Sequence, residues 1–267
     1  MVLTNKSKYN TIEIQSKSKL KPRKKLEIGG GKMGGCKKPD IFPSLICSDL
    51  FNLERSVEEL EKVGCEMVHV DILDGHFSPS MPLGLDTIAQ VRQHSRMKMD
   101  VHIMSDINEF FVREMLKIGC ERICFHVETT PHIDYLLNMI RGAGVRAGVA
   151  LKPATPVWML NEIADSLDFV LLMLINPGYA GNSAEKQVAY ALSKVRECRE
   201  LLDKKNCSIP IEVDGRVTFE NIPFLLDAGA NQFVGGTGTF FRKGSTLMEN
   251  YERVVRIFEN WGWEKDG

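Results

Sequence analysis

From residue 40 onward, short apolar runs alternate with stretches in which apolar residues recur every three or four positions. The runs have the length of β-strands, and the recurring pattern is typical of amphipathic helices, as Leu53, Val57 and Leu60 illustrate. The pattern predicts strands over 41–46, 67–73, 98–104, 122–128, 146–152, 169–175, 210–214 and 232–236. It predicts helices over 49–63, 84–95, 106–118, 131–142, 156–166, 185–204, 218–228 and 245–260, with Gly64, Gly119 and Gly229 at helix C-termini.

Eight strand–helix units of similar length predict the fold class, an α/β protein with the architecture of a (β/α)8 TIM barrel. Such barrels are typically about 250 residues long, and the eight units occupy residues 41–260. An open doubly wound sheet is the alternative, but such sheets rarely contain eight units of such even length. We therefore expect a single barrel domain over residues 39–267.

Polar residues lie near the ends of three predicted strands, in the triplets His69-Val70-Asp71, Asp100-Val101-His102 and Glu212-Val213-Asp214. Residues i and i+2 of a strand point to the same side, and barrel enzymes place their chemistry at the C-terminal ends of the strands. Two imidazoles and two carboxylates therefore predict one divalent-metal site, formed by His69, Asp71, His102 and Asp214. Zn²⁺ suits these ligands best, although Mn²⁺, Fe²⁺ and Co²⁺ fit them too. The two carboxylates can also transfer protons.

Three glycine-containing segments follow the predicted strands 6, 7 and 8, at 176–182, 214–216 and 235–238. Glycine lets backbone N–H groups approach an anion closely, and loops after strands 7 and 8 often bind phosphate in barrels of this kind. Ordinary tight turns are the competing interpretation. The three segments together favour a phosphate site.

Charge is unevenly distributed along the chain. The formal net charge is −1, but residues 1–38 carry ten Lys and one Arg against two Glu, which leaves the remainder near −10. An acidic body argues against nucleic acid as a partner. The basic segment 1–38 lacks apolar periodicity, so we expect a separate, disordered tail. A solvated tail, a transit peptide and attraction to anionic surfaces are the roles left open for it.

The cysteines and the apolar segments bear on location. The seven cysteines form no Cys-x-x-Cys pair, and most of them lie within apolar runs, which is typical of a protein in a reducing cytoplasm. No apolar run reaches the roughly 20 residues of a membrane span. We therefore expect a cytoplasmic protein without a membrane span.

Longer segments of the sequence carry a family resemblance. They are Pro43-Ser44-Leu45, His69 to Phe77, Asp100 to Met104, Asn176-Pro177-Gly178-Tyr179-Ala180-Gly181 and Glu212 to Gly215. Through them, residues 41–241 resemble the ribulose-phosphate 3-epimerases, including the allulose-6-phosphate 3-epimerase branch. The resemblance implies a ribulose-phosphate-binding barrel, an isomerase of carbohydrate metabolism that acts on phosphorylated ketoses, and a homo-oligomer.

The resemblance also implies residue roles. His69, Asp71, His102 and Asp214 match the metal ligands, and Asp71 and Asp214 match the two acid–base groups. The residues that match substrate or phosphate contacts are Ser44, His102, Gly178, Tyr179, Ala180, Gly181, Gly215, Arg216, Gly236 and Thr237. Leu73, Met104 and Met173 match residues that line the pocket. Two residues depart from the family pattern, since Leu73 replaces a common Met and Arg216 replaces a small residue.

The expected reaction is inversion at C3 of a ketose phosphate, by two-base proton transfer through an enediolate. The substrate pair is either ribulose 5-phosphate and xylulose 5-phosphate, of the pentose phosphate series, or allulose 6-phosphate and fructose 6-phosphate. A Schiff-base lyase is one alternative, with Lys152 at the end of strand 5 as its amine. A non-catalytic sugar-phosphate-binding protein is the other, but a binder has no need for two opposed carboxylates.

Overall fold

All eight predicted strands form. The computed structural model describes residues 39–179, 181–182 and 184–262, so the predicted tail 1–38 and Ala180 lie outside the described residues. The strands are β1 (Asp40–Pro43), β2 (Met67–Leu73), β3 (Lys98–Met104), β4 (Arg122–His126), β5 (Arg146–Leu151), β6 (Phe169–Met173), β7 (Ile211–Asp214) and β8 (Gln232–Gly235). The helices are α1 (Leu53–Val63), α2 (Leu85–His94), α3 (Asn108–Ile118), α4 (Ile133–Gly142), α5 (Ala191–Lys204), α6 (Ile222–Asp227) and α7 (Leu247–Trp261).

The sheet curls into a barrel. Its strands are parallel and follow the order β1-β8-β7-β6-β5-β4-β3-β2. The two ends of this order meet, because Ser44, just after β1, forms a parallel bridge with His69 in β2. The (β/α)8 TIM barrel is thereby confirmed, and the open sheet is wrong.

Both faces of the strands are buried, which explains their apolar sequences. Outward-facing residues of β2, such as Val68, Val70 and Ile72, belong to the large core that packs against the helices. Inside the barrel, a smaller apolar cluster contains Cys124, Ala150, Phe169, Leu171, Met173 and Ile175. Because side chains alternate between the two faces, the polar triplets identified in the sequence direct His69 and Asp71 to the barrel interior.

One predicted helix is wrong. The segment 156–166 forms two 3₁₀ turns, Val157–Leu160 and Ala164–Ser166. Its buried positions Val157, Leu160 and Ile163 recur every three residues, which matches the repeat of a 3₁₀ helix and not that of an α-helix. The predicted bounds of β2 and β3 are confirmed, whereas several other elements are shorter than predicted, most of all α5, which begins at Ala191. Within the described residues, the helices are too short or too polar to cross a membrane.

Candidate active site and metal centre

The four predicted metal ligands converge. His69 and Asp71 lie in β2, His102 lies in β3, and Asp214 ends β7. One ligand atom from each residue lies within 4.8 Å of those from the other three. Asp71 is central, since its Oδ1 atom is 3.3 Å from His69 Nε2 and 3.3 Å from His102 Nδ1. Two nitrogens and two carboxylates at this spacing form a ligand set for a divalent cation.

The nitrogen of His69 that faces the other ligands fits a metal. His69 Nε2 is fully buried and has no hydrogen-bond partner, while Nδ1 lies 2.6 Å from Asp100 Oδ2. A carboxylate behind the second ring nitrogen is the usual support of a metal-binding histidine. Burial opposes protonation of His69, but Asp71 and Asp100 outweigh burial and raise its pKa well above the ordinary value. A proton and a cation therefore compete for the same nitrogen.

The two carboxylates that line the cavity differ in acidity. Burial opposes ionisation of Asp71, but the charge of His69 and the nearby imidazoles of His102 and His69 outweigh it and lower the pKa of Asp71. The Ser44 hydroxyl also donates to Asp71 Oδ2 at 3.0 Å. Asp214 has the opposite shift, because burial and then the Asp71 charge raise its pKa to about 6. Environments that move two carboxyl pKa values apart are typical of acid–base pairs.

A charged layer lies behind the ligands inside the barrel, formed by the buried residues Asp100, Arg122 and Glu212 together with the half-buried amide of Gln232. The Arg122 guanidinium donates to Asp100 and Glu212, and to Gln232 Oε1 at 2.7 Å. Its central carbon lies 3.8 Å from the centre of the Phe169 ring. The layer holds Asp100 in the orientation that meets His69. Asp100, Arg122 and Glu212 were not predicted to have a role, although Asp100 and Glu212 have the same strand parity as the ligands.

His102 has a different support. Its Nε2 atom lies 3.0 Å from His126 Nε2, and His126 Nδ1 lies 2.9 Å from Glu128 Oε2. His126 is fully buried at the end of β4. Burial, above all other causes, lowers its pKa to about 4. His126 is therefore a buried imidazole directly behind a metal ligand.

A cavity of about 170 Å³ opens beside the ligands at the C-terminal ends of the strands. Ten of the predicted residues line it, namely Ser44, Asp71, Met104, Met173, Gly178, Asp214, Gly215, Arg216, Gly236 and Thr237. Gly238, from the predicted segment 235–238, lines it too, and six other lining residues were not predicted, namely Ile46, Cys47, Ile175, Val217, Thr218 and Val234. Most of these lie within three residues of a predicted site residue, so neighbourhood in the sequence was the available signal.

Other predicted residues lie elsewhere. His69 and His102 are fully buried beneath the cavity, and Leu73 is buried beside Gly178, where an added Cβ would lie 3.1 Å from the Leu73 side chain. Tyr179 and Gly181 lie in the loop after β6 and do not line the cavity, and Tyr179 is 39% exposed. The structure thus brings the metal ligands and most of the phosphate set together, and leaves the loop residues at the side.

The glycine turn after β7 brings backbone to the cavity wall. Gly215 has a φ of 111°, and an added Cβ would lie 2.9 Å from the backbone nitrogen of Ile175. Only glycine fits this position without displacing the chain. Arg216 follows with a φ of 55°, a left-handed conformation that costs roughly 1–2 kcal/mol in a residue other than glycine. Its guanidinium donates to the backbone carbonyls of Glu185, at 2.9 Å, and Asn182, so it ties the loop after β6 to β7.

Comparison with protein families agrees with this geometry. The model described as the ribulose-phosphate 3 epimerase family matches residues 40–240. The chain belongs to this family. It is 34% identical over 201 residues to the ribulose-phosphate 3-epimerase of Bacillus subtilis (strain 168), an alignment that covers 75% of this chain and 91% of the relative. It is 35% identical over 200 residues to that of Treponema pallidum (strain Nichols), over 75% of this chain and 90% of the relative. This family member is therefore an isomerase, a carbohydrate-phosphate epimerase, as predicted.

Solved structures agree on the fold alone. KGPDC from Streptococcus mutans has a TM-score of 0.62 at 11% identity, over 85% of this chain and 100% of that one. Thiamine phosphate pyrophosphorylase from Pyrococcus furiosus has a TM-score of 0.57 at 14% identity, over 85% of this chain and 97% of that one. These likenesses support the barrel of this epimerase-family chain and carry no inference about its substrate.

Proposed function

We propose that this protein is a metal-dependent 3-epimerase of ketose phosphates that uses Asp71 and Asp214 as its two bases. The observation that carries the proposal is the pair itself: both carboxylates line one cavity, from β2 and β7, and their pKa values are shifted in opposite directions. One carboxylate keeps its charge and the other can hold a proton. Inversion requires this combination at the start of each turnover.

The proposed reaction moves one proton off C3 and another onto its opposite face. One aspartate takes the C3 proton, and the electron pair of the broken C–H bond moves into the C2 carbonyl, which gives an enediolate. The other aspartate then donates its proton to the opposite face of C3, and the C2 carbonyl forms again. The two carboxylates exchange protonation states in each turnover, so the reverse reaction uses the same groups with their roles exchanged.

The metal would be held by His69, Asp71, His102 and Asp214. A divalent ion in this position would act as a Lewis acid that stabilises the negative charge developing on the two substrate oxygens. Zn²⁺ is the first candidate for two imidazoles and two carboxylates, before Mn²⁺, Fe²⁺ and Co²⁺. Ser44 holds the Asp71 carboxylate in place by donating its hydroxyl to Oδ2.

The phosphate would bind at the other end of the cavity. Gly215, Arg216, Gly236 and Thr237 line the cavity on the loops after β7 and β8 and would form the phosphate site. Backbone N–H groups on such loops bind phosphate in many barrels. A phosphate fixed there would hold C3 of the sugar between the two carboxylates.

The lyase alternative is less well supported. Lys152 Nζ lies 4.0 Å from the centre of the Phe77 ring, and Lys152 is not among the residues that line the cavity. An amine that attacks a substrate carbonyl needs to reach the cavity. Treatment with borohydride in the presence of substrate, which would trap a Schiff base, should leave Lys152 unmodified.

Three further proposals concern the chain as a whole. Residues 1–38 would form a tail separate from the catalytic domain 39–267, and the family match from residue 40 supports that division. A cytoplasmic location is supported by the free thiols of the six cysteines within the described residues. A homo-oligomer is expected from the family resemblance, and light scattering of the purified protein would test it.

The decisive experiment is a coupled C3-epimerisation assay on ribulose 5-phosphate and on allulose 6-phosphate, with and without chelator. We expect turnover that chelator abolishes and that added Zn²⁺, Mn²⁺, Fe²⁺ or Co²⁺ restores, and the faster substrate identifies the sugar series. Turnover that survives complete removal of metal would reject the metal-dependent mechanism. Failure on both sugars with metal bound would reject this substrate class.

A further inference from the structure

A chain of hydrogen-bonding side chains continues behind His102. His102 Nε2 meets His126 Nε2 at 3.0 Å, and His126 Nδ1 meets Glu128 Oε2 at 2.9 Å. The two imidazoles are fully buried. Their rings are also held by packing, since the His126 centroid lies 4.8 Å from that of Phe77 and 5.1 Å from that of His102. The geometry fixes the ring of His126 and both of its nitrogens.

Glu128, the last residue of this series of hydrogen bonds, is anchored to the loop after β5. Glu128 Oε1 accepts from the Lys152 backbone N–H at 2.7 Å and from the Thr155 hydroxyl. The Lys194 ammonium, 5% exposed, holds the same loop by donating to the carbonyls of Lys152, Pro153 and Thr155, at 2.6, 2.8 and 2.6 Å. Both oxygens of Glu128 are therefore engaged as acceptors, and its carboxylate is fixed in position.

The order of donors and acceptors follows from the carboxylate. Glu128 accepts, so His126 Nδ1 carries a hydrogen. His126 is fully buried, and a second hydrogen would place a charge on its ring, where burial makes a charge costly, so His126 Nε2 is the acceptor of the contact with His102. His102 Nε2 must then be the donor, and His102 Nδ1 is left with a lone pair. That lone pair faces Asp71 in the ligand cluster.

We infer that His126 and Glu128 are positioning residues that select the tautomer of His102 with its Nδ1 lone pair free to bind the metal. The inference rests on the proposed function, since it assigns a role within the same metal site. Tautomer selection matters here because the alternative is favourable on its own: a proton on His102 Nδ1 would point at Asp71 Oδ1, 3.3 Å away, and would block the ligand atom. A partner behind the far nitrogen is the usual means of preventing this.

The two imidazole ligands are thus supported unequally. His69 Nδ1 meets the carboxylate of Asp100 directly, at 2.6 Å, whereas His102 reaches the carboxylate of Glu128 only through His126. A carboxylate is a stronger hydrogen-bond acceptor than a neutral imidazole. The tautomer of His102 is therefore held by a weaker acceptor, His126, than the tautomer of His69, which is held by Asp100.

The test compares three variants of the full chain. His126→Phe keeps a ring but removes the acceptor, His126→Gln keeps an acceptor near the position of Nε2, and Cys124→Ala is a packing control that lies two residues earlier on the same side of β4. Zn²⁺ affinity is measured by competition with a chromogenic chelator. We expect about 10–100-fold weaker binding in His126→Phe, with less than about threefold change in His126→Gln and Cys124→Ala.

A second readout does not need metal. In the metal-free wild-type protein with ¹⁵N-labelled histidine, the ring-nitrogen shifts of His102 should show the Nε2–H tautomer, and His126→Phe should show Nδ1–H. A wild-type protein with the Nδ1–H tautomer would overturn the inference even if His126→Phe failed to fold. So would a folded His126→Phe that binds Zn²⁺ as tightly as wild type. Absence of divalent-metal binding by the wild type would instead reject the proposed function, while the tautomer result would still stand.

Discussion

Asp71 and Asp214 are the same residue type in the same cavity, yet their surroundings differ. Asp71 accepts a hydrogen bond from the Ser44 hydroxyl and lies 3.3 Å from a nitrogen of each of the imidazoles of His69 and His102. Asp214 lies at the end of β7, partly buried, where the Asp71 charge acts against its ionisation. Two identical side chains thereby acquire different acidities from the strand ends that carry them.

The difference between the surroundings of Asp71 and Asp214 shows how a barrel can form an acid–base pair. A hydroxyl just after β1 and imidazoles on β2 and β3 surround one carboxylate, while the other ends β7, where burial and the charge of Asp71 oppose its ionisation. No special residue type is needed for this result. Changes that remove either carboxylate, the layer behind it or its donors should therefore have unequal and separable effects.

Removal of either base should have the largest effect. Asp71→Asn and Asp214→Asn should each lower epimerisation by roughly 10³-fold or more, because proton transfer by a positioned group contributes up to about 10⁴-fold. In D₂O, each variant should still exchange the C3 hydrogen of one epimer, and the two variants should differ in which epimer that is. Deuterium incorporation at C3 is measured by mass spectrometry.

Asp165→Asn, at an exposed carboxylate outside the cavity, is the matched control and should keep full activity. Exchange of the same epimer by both variants would mean that the two carboxylates do not act on opposite faces.

Removal of the charge at the centre of the buried layer should have the next largest effect. Arg122→Met leaves Asp100 and Glu212 as buried carboxylates without their cation, and we expect a loss of roughly 3–5 kcal/mol in the free energy of unfolding. Urea unfolding measures it. Arg242→Met breaks a pair with Glu220 whose side chains are 43% and 60% exposed, and should cost no more than about 1 kcal/mol. Equal losses in the two variants would show that the buried charge of Arg122 stabilises the fold no more than an exposed ion pair does.

The metal-free protein should reveal the two acidities as stability changes of opposite sign. The pKa of Asp214 is raised to about 6, so its stabilising contribution is present below the unfolded pKa and is lost as pH rises through 6. With chelator near pH 7.5, Asp214→Asn should therefore be more stable than wild type, by about 1–3 kcal/mol. The pKa of Asp71 is lowered, so Asp71→Asn should be less stable under the same conditions, because the charged form of Asp71 stabilises the fold above its unfolded pKa.

Urea unfolding at two pH values checks both signs. Near pH 4 the advantage of Asp214→Asn should largely disappear, because the wild-type carboxyl is then protonated as well. Stability changes of the same sign at neutral pH would contradict the difference in acidity.

The smallest effect should follow from Ser44→Ala. Loss of the hydroxyl that donates to Asp71 should raise the pKa of that carboxyl and reduce the difference between the pKa values of Asp71 and Asp214. We expect about a tenfold decrease in kcat/KM, since a hydrogen bond to a charged group is worth about 1.5–3 kcal/mol. Ser48→Ala removes a hydroxyl that donates to the Leu45 carbonyl at 2.6 Å, outside the cavity lining, and should leave kcat/KM unchanged. A tenfold loss in the control as well would indicate disturbance of the loop after β1.

Local patterns explain which parts of the fold could be predicted from the sequence. The bounds of β2 and β3 follow from apolar residues that recur at alternate positions, and strand parity was sufficient to direct His69, Asp71 and His102 to one side. The segment 156–166 misled because spacings of three and of three to four are hard to separate in so short a stretch. The loop residues Tyr179 and Gly181 were expected in the pocket, but the direction of a loop depends on contacts that the sequence does not display.

The charged layer could not be predicted for a different reason. Strand parity places Arg122 inside the barrel but does not name its partners, which lie 90 and 110 positions later, at Glu212 and Gln232. His126 differs, because its place at the end of a predicted strand indicates a residue of the pocket wall, and only its contact with His102 depends on the pairing of β3 with β4. Contacts between residues on different strands can be identified only when the arrangement of the closed barrel is known.

The distance between Arg122 and its partners also bears on how the barrel is made. During synthesis, β4 leaves the ribosome long before β7 and β8. Arg122 can therefore contact Glu212 and Gln232 only when nearly the whole domain is present. Contacts this far apart in the chain form late, because a long loop must close before they are made. The first four strands alone therefore hold Arg122 with only one of its two carboxylates, and the last two strands, on joining the barrel, complete both the cavity and the contacts of Arg122.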